Sequence, residues 1–153
     1  MKEIVLIIDR VRSMHNVGSF FRIADGAGVN EIALCGYTPT PPRQQIEKVS
    51  LGAELAVPWK YFATVIEAVK YYKKLGFQIV VVEKMEGARV FTDEKYSDRV
   101  ALIVGHEIDG IDPELPSYAD AIVYIPMKGV KESLNVSVAA GIVVYHVAVG
   151  VSR

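Results

Sequence analysis

The sequence has little cysteine and no excess of charge of either sign. Cys35 is the only cysteine, so no disulfide forms within the chain, and we expect Cys35 to be a small core residue at the end of a strand. Lysine and arginine total 17 against 18 aspartate and glutamate, which gives a net charge of −1 at pH 7. This balance excludes a general nucleic-acid binder with a uniformly basic surface, so any RNA contact requires a local patch.

The sequence also lacks a hydrophobic run of membrane-spanning length. Its one long apolar stretch, residues 136–151, includes Ser137 and His146 and is too short for a spanning helix, so we predict a buried or interface helix there. Lys2 and Glu3 lead directly into a short strand-like run, which is unlike a signal peptide. We therefore expect a cytoplasmic protein with no membrane partner.

Two common classes of site are missing from the sequence. No Gly-Lys-Ser or Gly-Lys-Thr follows a glycine-rich run and no G-x-G-x-x-G occurs, which argues against a nucleotide hydrolase or a simple dinucleotide-binding domain. His15, His106 and His146 lack ligand spacing with one another or with Cys35, so we expect no metal. His146, on an apolar helix, is interpreted as a packed or interface histidine.

Strand-like and helical patterns alternate along the chain. Apolar runs predict buried strands at residues 3–8, 31–35, 78–82, 100–104 and 121–125, with a shorter extended piece at 57–62. Helical patterns cover residues 17–27, with Asn16 as the N-cap, and residues 44–51, 64–75 and 134–149. The alternation predicts one α/β domain over residues 1–153, with a mostly parallel sheet of about five strands.

Three polar loops follow predicted strands, at residues 83–87, 105–112 and 126–133. Ligands of parallel sheets bind beyond the carboxyl ends of the strands. The expected convergence of these loops is the first indication of a functional site.

The segment 125–138 reads I-P-M-K-G-V-K-E-S-L-N-V-S-V. Pro126 removes a backbone donor and ends the preceding strand. Ser133, Asn135 and Ser137 then crowd the start of an apolar helix, where one of them suffices as a cap. Three such residues beside a glycine loop indicate a site for a polar or anionic ligand.

Two further features each allow two interpretations. In V-G-H-E-I-D-G-I-D, residues 104–112, Gly105 lets another molecule approach the backbone and Glu107 pins a loop, or the stretch is a turn with two glycines. Arg22 interrupts the helical stretch F-F-R-I-A, where a charge is costly to bury unless it is paired or used. Alternatively, Arg22 is a surface arginine with a packed stem.

Three segments resemble, in order, the three motifs of the SpoU, or TrmH, class of SPOUT RNA methyltransferases. They are V-R-S-M-H-N-V-G-S-F-F-R-I-A-D-G-A-G-V (residues 11–29), I-V-G-H-E-I-D-G-I (103–111) and I-P-M-K-G-V-K-E-S-L-N-V-S-V-A-A-G-I (125–142). The resemblance implies an α/β SPOUT fold with helices on both faces of a mostly parallel sheet and a C-terminal deep trefoil knot. It also implies a homodimer and methyl transfer from S-adenosylmethionine to a ribose 2′-hydroxyl.

Site residues follow from the same resemblance. The matched catalytic positions are Asn16, Arg22, Glu107, Ser133 and Asn135. The positions expected to grip S-adenosylmethionine are Val82, Gly105, Ile125, Met127, Ser133 and Leu134. The second motif usually carries asparagine before its glutamate, whereas this chain has His106, which can also donate a hydrogen bond and can alter the pH response of the loop.

The expected partner is tRNA or rRNA, with no separate RNA-binding domain. The residues expected to contact RNA are Arg10, Arg12, Arg22, Arg43, Lys128 and Lys131. The helix at 134–149 is the candidate for the dimer contact. Two alternatives remain: a catalytically inactive SPOUT-fold protein that binds RNA or aids assembly, and an enzyme that methylates a different RNA atom or a protein.

Overall fold

The computed structural model describes residues 2–106 and 108–150. Its strands are β1 (Glu3–Asp9), β2 (Glu31–Cys35), β3 (Trp59–Phe62), β4 (Gln78–Val82), β5 (Arg89–Val90), β6 (Arg99–Gly105) and β7 (Ala121–Tyr124). Its helices are α1 (Met14–Ala27), α2 (Gln44–Ser50), α3 (Ala53–Ala56), α4 (Val65–Lys74), α5 (Leu115–Tyr118) and α6 (Val136–Val149). No helix in the described ranges is long and apolar enough to cross a membrane.

The strands form one sheet in the order β3-β2-β1-β6-β4-β7-β5, and each of its pairings is parallel. The predicted α/β class and parallel sheet are therefore confirmed. The prediction of about five strands was too low, because the extended piece at 57–62 contains β3 and because β5 was missed. With only two residues, β5 is too short to carry a periodic signal.

Helices cover both faces of the sheet. The first face packs against α1, α2, α3 and α6, and the second against α4 and α5. The central strand β1 is continuously apolar because both of its faces are buried. Ile4, Leu6 and Ile8 pack in the core on the first face of the sheet, and Val5 and Ile7 pack in the core on the second. Burial of such side chains contributes about 1.5–3 kcal/mol each.

Helix α1 begins one turn earlier than its sequence pattern indicates. Its N-cap is Ser13, whose hydroxyl accepts a hydrogen bond from the backbone N–H of Asn16. The prediction of Asn16 as the N-cap was therefore wrong, because the Ser13 hydroxyl already satisfies this end of the helix. The side chain of Asn16, only 8% exposed, is free for another contact.

Helices α1 and α6 lie side by side and run in the same direction. Asn16 meets Asn135 near their starts, and a Cβ added at Gly141 would lie 3.4 Å from Cδ1 of Ile23. Near their ends, a Cβ at Gly26 would collide with the hydroxyl of Tyr145. Glycine therefore permits the close approach of the two helices.

Cys35 is fully buried at the end of β2, as the sequence predicts. Burial raises the pKa of its thiol far above the ordinary value. The thiolate, which is the reactive form, is therefore suppressed, and Cys35 acts as a core residue.

Candidate functional site

A cavity of about 410 Å³ opens beyond the carboxyl ends of β4, β6 and β7. This volume lies within the range of about 300–1,000 Å³ that is typical of small-molecule sites. The three polar loops predicted to converge all contribute to its wall, for example through Glu83, Gly110 and Glu132. The six residues predicted to hold a cofactor line it together: Val82, Gly105, Ile125, Met127, Ser133 and Leu134.

Gly105 brings the loop at residues 105–112 into the wall of the cavity. It lies opposite Asp9 at the end of the β1–β6 pairing and has a φ of +120°, which side chains rarely tolerate. A Cβ at this position would lie 2.9 Å from the backbone nitrogen of Asp9 and closer still to its carbonyl oxygen. Only glycine lets the chain leave β6 in this direction.

His106 donates a hydrogen bond to the carboxylate of Glu83 across the cavity wall. Nε2 of the buried His106 lies 2.8 Å from Oε2 of Glu83, which joins the loop after β4 to the loop after β6. Nδ1 of His106 lies 3.9 Å from Oδ2 of Asp9 and has no hydrogen-bond partner within residues 2–106 and 108–150. The hydrogen bond from His106 is the main cause that lowers the pKa of the Glu83 carboxyl below its ordinary 4.5.

The lowered pKa of Glu83 predicts a pH-dependent contribution to stability. A carboxyl group with a depressed pKa in the folded state stabilises that state above its unfolded pKa, and this contribution is lost as the pH falls through the folded pKa. We expect His106→Asn to raise the pKa of Glu83 and to be less stable than the wild type near neutral pH, with the difference shrinking below about pH 4. Carboxyl-carbon NMR titration and urea unfolding at several pH values measure both effects; an unchanged Glu83 titration would contradict the pairing.

Arg10 holds the loop at residues 105–112 against the end of β1. Its guanidinium donates to both carboxylate oxygens of Asp9, at 2.9 and 3.0 Å, and to the carbonyl oxygen of Gly110 at 2.7 Å. The hydrogen bond to Asp9 raises the pKa of Arg10. Since Gly110 lines the cavity, the side chain predicted to contact RNA holds a cavity loop in place.

A polar bridge links the starts of α1 and α6. Oδ1 of Asn135 accepts hydrogen bonds from the backbone N–H of Ser137 at 2.9 Å and from its hydroxyl at 2.7 Å. The Nδ2 group of Asn135 donates to Oδ1 of Asn16 at 3.4 Å. Two predicted catalytic residues, 119 positions apart, are thus brought together.

Arg22 lies elsewhere on α1. Its side chain is exposed, it does not line the cavity, and it forms no ion pair within 4 Å among the residues described. Arg22 follows Asn16 by six positions, which corresponds to about 9 Å along the helix axis. The remaining predicted catalytic residue, Glu107, lies outside the described residues.

The residues predicted to bind RNA fall into separate groups. Arg12 and Arg43 line an open groove next to β3, whereas the exposed Lys128 and Lys131 belong to the loop before Ser133. Within the described part of the chain, no group of three or more histidine, cysteine, aspartate or glutamate side chains is placed to hold a metal ion.

Sequence reasoning missed Glu83 as a site residue. Its position directly after β4, at the carboxyl edge of a parallel sheet, was the available signal. The sequence predicts that the loop at 83–87 lies near the site, but nothing local to Glu83 indicates a partner 23 residues later.

A protein-family model and the most similar characterised proteins that we compared all belong to one group of RNA methyltransferases. The model of the SpoU rRNA Methylase family matches residues 3–145. A tRNA (guanosine(18)-2′-O)-methyltransferase of Aquifex aeolicus is 32% identical over 146 residues, which cover 95% of this chain and 68% of that protein. The 23S rRNA (guanosine-2′-O-)-methyltransferase RlmB of Vibrio vulnificus is 31% identical, over 94% of this chain and 58% of that protein.

Solved structures give the same result. The structure of an AdoMet-bound rRNA methyltransferase from Sinorhizobium meliloti superposes with a TM-score of 0.86 at 30% identity, covering 94% of this chain and 54% of that chain. Several of these relatives are therefore considerably longer than the segment that matches them.

Proposed function

The chain belongs to the SpoU rRNA methylase family, and we propose that it transfers a methyl group from S-adenosylmethionine to a ribose 2′-hydroxyl of tRNA or rRNA. We assign this activity to residues 1–153 as one catalytic domain. The observation that carries the proposal is the single cavity at which all six expected cofactor-binding residues meet. A cytoplasmic location belongs to the same proposal, because tRNA and rRNA function in the cytoplasm.

The cavity suits S-adenosylmethionine in size and chemistry. Its wall combines apolar side chains such as Val82, Ile125 and Leu134 with the carboxylate of Glu83. Apolar walls accommodate the adenine ring, and the carboxylate accepts hydrogen bonds from ribose hydroxyls or from the amino group of the cofactor. The bound cofactor supplies an electrophilic sulfonium methyl group.

Arg22 activates the ribose hydroxyl in this proposal. Arg22 acts as a guanidinium cation that stabilises the developing alkoxide rather than as a general base, and the proton lost by the hydroxyl passes to solvent water. Alignment of the hydroxyl with the methyl group supplies the larger part of the rate enhancement. Asn16, held by Asn135, orients the ribose at the start of α1, and Ser133 contributes at the cavity wall.

A symmetric homodimer supplies Arg22 to the cavity of the other subunit. Arg22 does not line the cavity of its own chain, so a complete site requires either a rearrangement or a second copy. Helix α6 carries an exposed apolar stripe at spacings of four, three and four residues, formed by Val138, Ile142, Tyr145 and Val149. Residues at these spacings share one face of a helix, as a two-fold contact requires.

We expect Ile142→Arg to dissociate this dimer, because it places a charge in the centre of the stripe. Sedimentation velocity at micromolar concentration should show a dimer for the wild type and a monomer for the variant. Leu55→Arg is the matched control, because Leu55 on α3 is 90% exposed and lies outside the stripe. A monomeric wild type would overturn the assignment of α6 to the dimer contact.

The trefoil knot is part of the same proposal. The rings of Phe91 and Tyr96, in the segment between β4 and β6, pack against His146 of α6 with centroid distances of 5.1 and 6.0 Å. Helix α6 also buries Val143 and Val147 in the core above the sheet. The helix thus lies beneath a segment that precedes it in the chain, which supports threading of the C-terminal part through that loop.

Incubation with methyl-labelled S-adenosylmethionine and total RNA, followed by digestion to nucleosides, tests the function. We expect label in 2′-O-methyl nucleosides. Label in a base or in protein would redirect the assignment to another acceptor. Cofactor binding by calorimetry without any transfer would favour the inactive RNA-binding or assembly protein.

A further inference from the structure

A second open groove, of about 710 Å³, lies between the loop after β2 and the edge strand β3. Three aromatic and two basic side chains define it: Arg12, Tyr37, Arg43, Trp59 and Tyr61. We call this site the aromatic groove. Trp59 and Tyr61 are two residues apart on β3 and therefore share one face of the sheet.

The aromatic rings of this groove are accessible. Tyr37 is 41% and Tyr61 is 53% exposed, and Trp59 is half-buried. The guanidinium of Arg12 stands 5.1 Å from the ring centre of Tyr37. Several large aromatic side chains that meet at one exposed groove are typical of a binding surface.

The loop that forms one side of the groove is held by specific hydrogen bonds. The buried Thr38 donates to the carbonyl oxygen of Cys35 at 2.7 Å and accepts from the backbone N–H of Val11 at 3.1 Å. The hydroxyl of Tyr61 donates to the carbonyl oxygen of Gly36 at 2.9 Å. The rings are therefore positioned before a ligand arrives, which lowers the entropic cost of binding.

The aromatic groove and the cavity share one loop. The hydroxyl of Tyr37 donates to Asp109 at 3.1 Å, and Arg10 binds the adjacent Gly110, which lines the cavity. The guanidinium of Arg10 lies 3.8 Å from the carboxylate of Asp109. A polyanion in the groove would thus meet a carboxylate that is already paired.

We propose that the aromatic groove binds unpaired nucleotides of the substrate RNA next to the methylated residue. Bases stack on Tyr37, Trp59 and Tyr61, since every base offers a π face to an aromatic ring. Arg12 and Arg43 hold the flanking phosphates. This inference rests on the proposed function, because the acceptor ribose must reach the cavity on the other side of the shared loop.

Trp59 provides a direct readout, because it is the only tryptophan of the chain. We expect an unstructured hexaribonucleotide to quench its fluorescence in a saturable way. Tyr37→Ala should weaken binding between about 5- and 150-fold, the equivalent of about 1–3 kcal/mol for one stacked base. Tyr37→Phe keeps the ring and should bind like the wild type.

Salt dependence tests the phosphate contact proposed for Arg43. Each phosphate contact to a single strand makes the slope of log K against log salt more negative by about 0.7. Arg43→Gln should therefore reduce the magnitude of that slope by about this amount. Arg89→Gln is the matched control, because Arg89 is exposed on β5 at the opposite edge of the sheet. Its slope should equal that of the wild type.

Calorimetry with S-adenosylhomocysteine separates this inference from the proposed function. Arg43→Gln, which changes the groove but no residue of the shared loop, should bind S-adenosylhomocysteine like the wild type while its KM for RNA rises. If the wild type binds cofactor and methylates RNA, but the oligonucleotide leaves Trp59 emission unchanged or Tyr37→Ala keeps its RNA affinity, the groove assignment is overturned and the methyltransferase assignment stands. Quenching by oligonucleotide without cofactor binding supports the groove and overturns the enzyme.

Discussion

Replacing Gly105 by alanine is expected to destabilise the fold by about 2–6 kcal/mol, from the combined costs of a backbone clash and a strained φ. The added Cβ would press against the backbone of Asp9, which belongs to the central strand β1 and cannot yield without disturbing its pairing with β6. Total stabilities of domains are about 5–15 kcal/mol. Urea unfolding followed by circular dichroism should show the loss, and calorimetry should show that S-adenosylhomocysteine no longer binds.

Two other glycines complete a graded series for this prediction. Gly110 has a φ of +75° and nothing within 4 Å of an added Cβ, so Gly110→Ala should cost only the conformational strain, about 1–2 kcal/mol. Gly129 has neither a positive φ nor a neighbour within 4 Å, so Gly129→Ala should leave stability near that of the wild type. Equal effects at all three positions would contradict the role given to Asp9.

The sequence predicts most of the sheet because its strands are buried on both faces. In β2 and β4 the predicted bounds coincide with the observed ones, since Ile32 to Cys35 and Ile79 to Val81 are all buried. The four longer helices, α1, α2, α4 and α6, were also found from their local apolar patterns, whereas the four-residue helices α3 and α5 were missed. Such patterns involve only neighbouring residues, so they can be recognised from the sequence without knowledge of the tertiary structure.

What the sequence does not provide are contacts between distant residues. The pairing of Glu83 with His106 depends on the adjacency of β4 and β6, and the strand order is not encoded in either loop. The aromatic groove likewise joins Tyr37 to Trp59 through the parallel pairing of β2 and β3. Arg22 shows a further limit: the motif identifies the residue, but only the fold shows that it lies away from the cavity of its own chain.

We expect Arg22→Lys to lower the rate of methyl transfer by about 10²–10³-fold, because a lysine does not reproduce the planar fork that contacts an alkoxide and a flanking phosphate together. Affinity for S-adenosylhomocysteine should stay near the wild-type value, since Arg22 does not line the cavity. Single-turnover rates and calorimetry measure the two quantities. Asp25→Asn, an exposed change on the same helix, is the control and should leave both unchanged.

Mixing two inactive variants decides which subunit supplies Arg22. Met127→Trp fills the cavity wall and should abolish cofactor binding while leaving Arg22 intact. If each site combines the cavity of one subunit with Arg22 of the other, randomly reassorted dimers of Arg22→Lys and Met127→Trp should regain about a quarter of the wild-type rate, because half of them are mixed and each mixed dimer holds one complete site. Mixed dimers that form, as shown by sedimentation of a tagged subunit, but stay inactive would place Arg22 in its own subunit's reaction or remove it from the site.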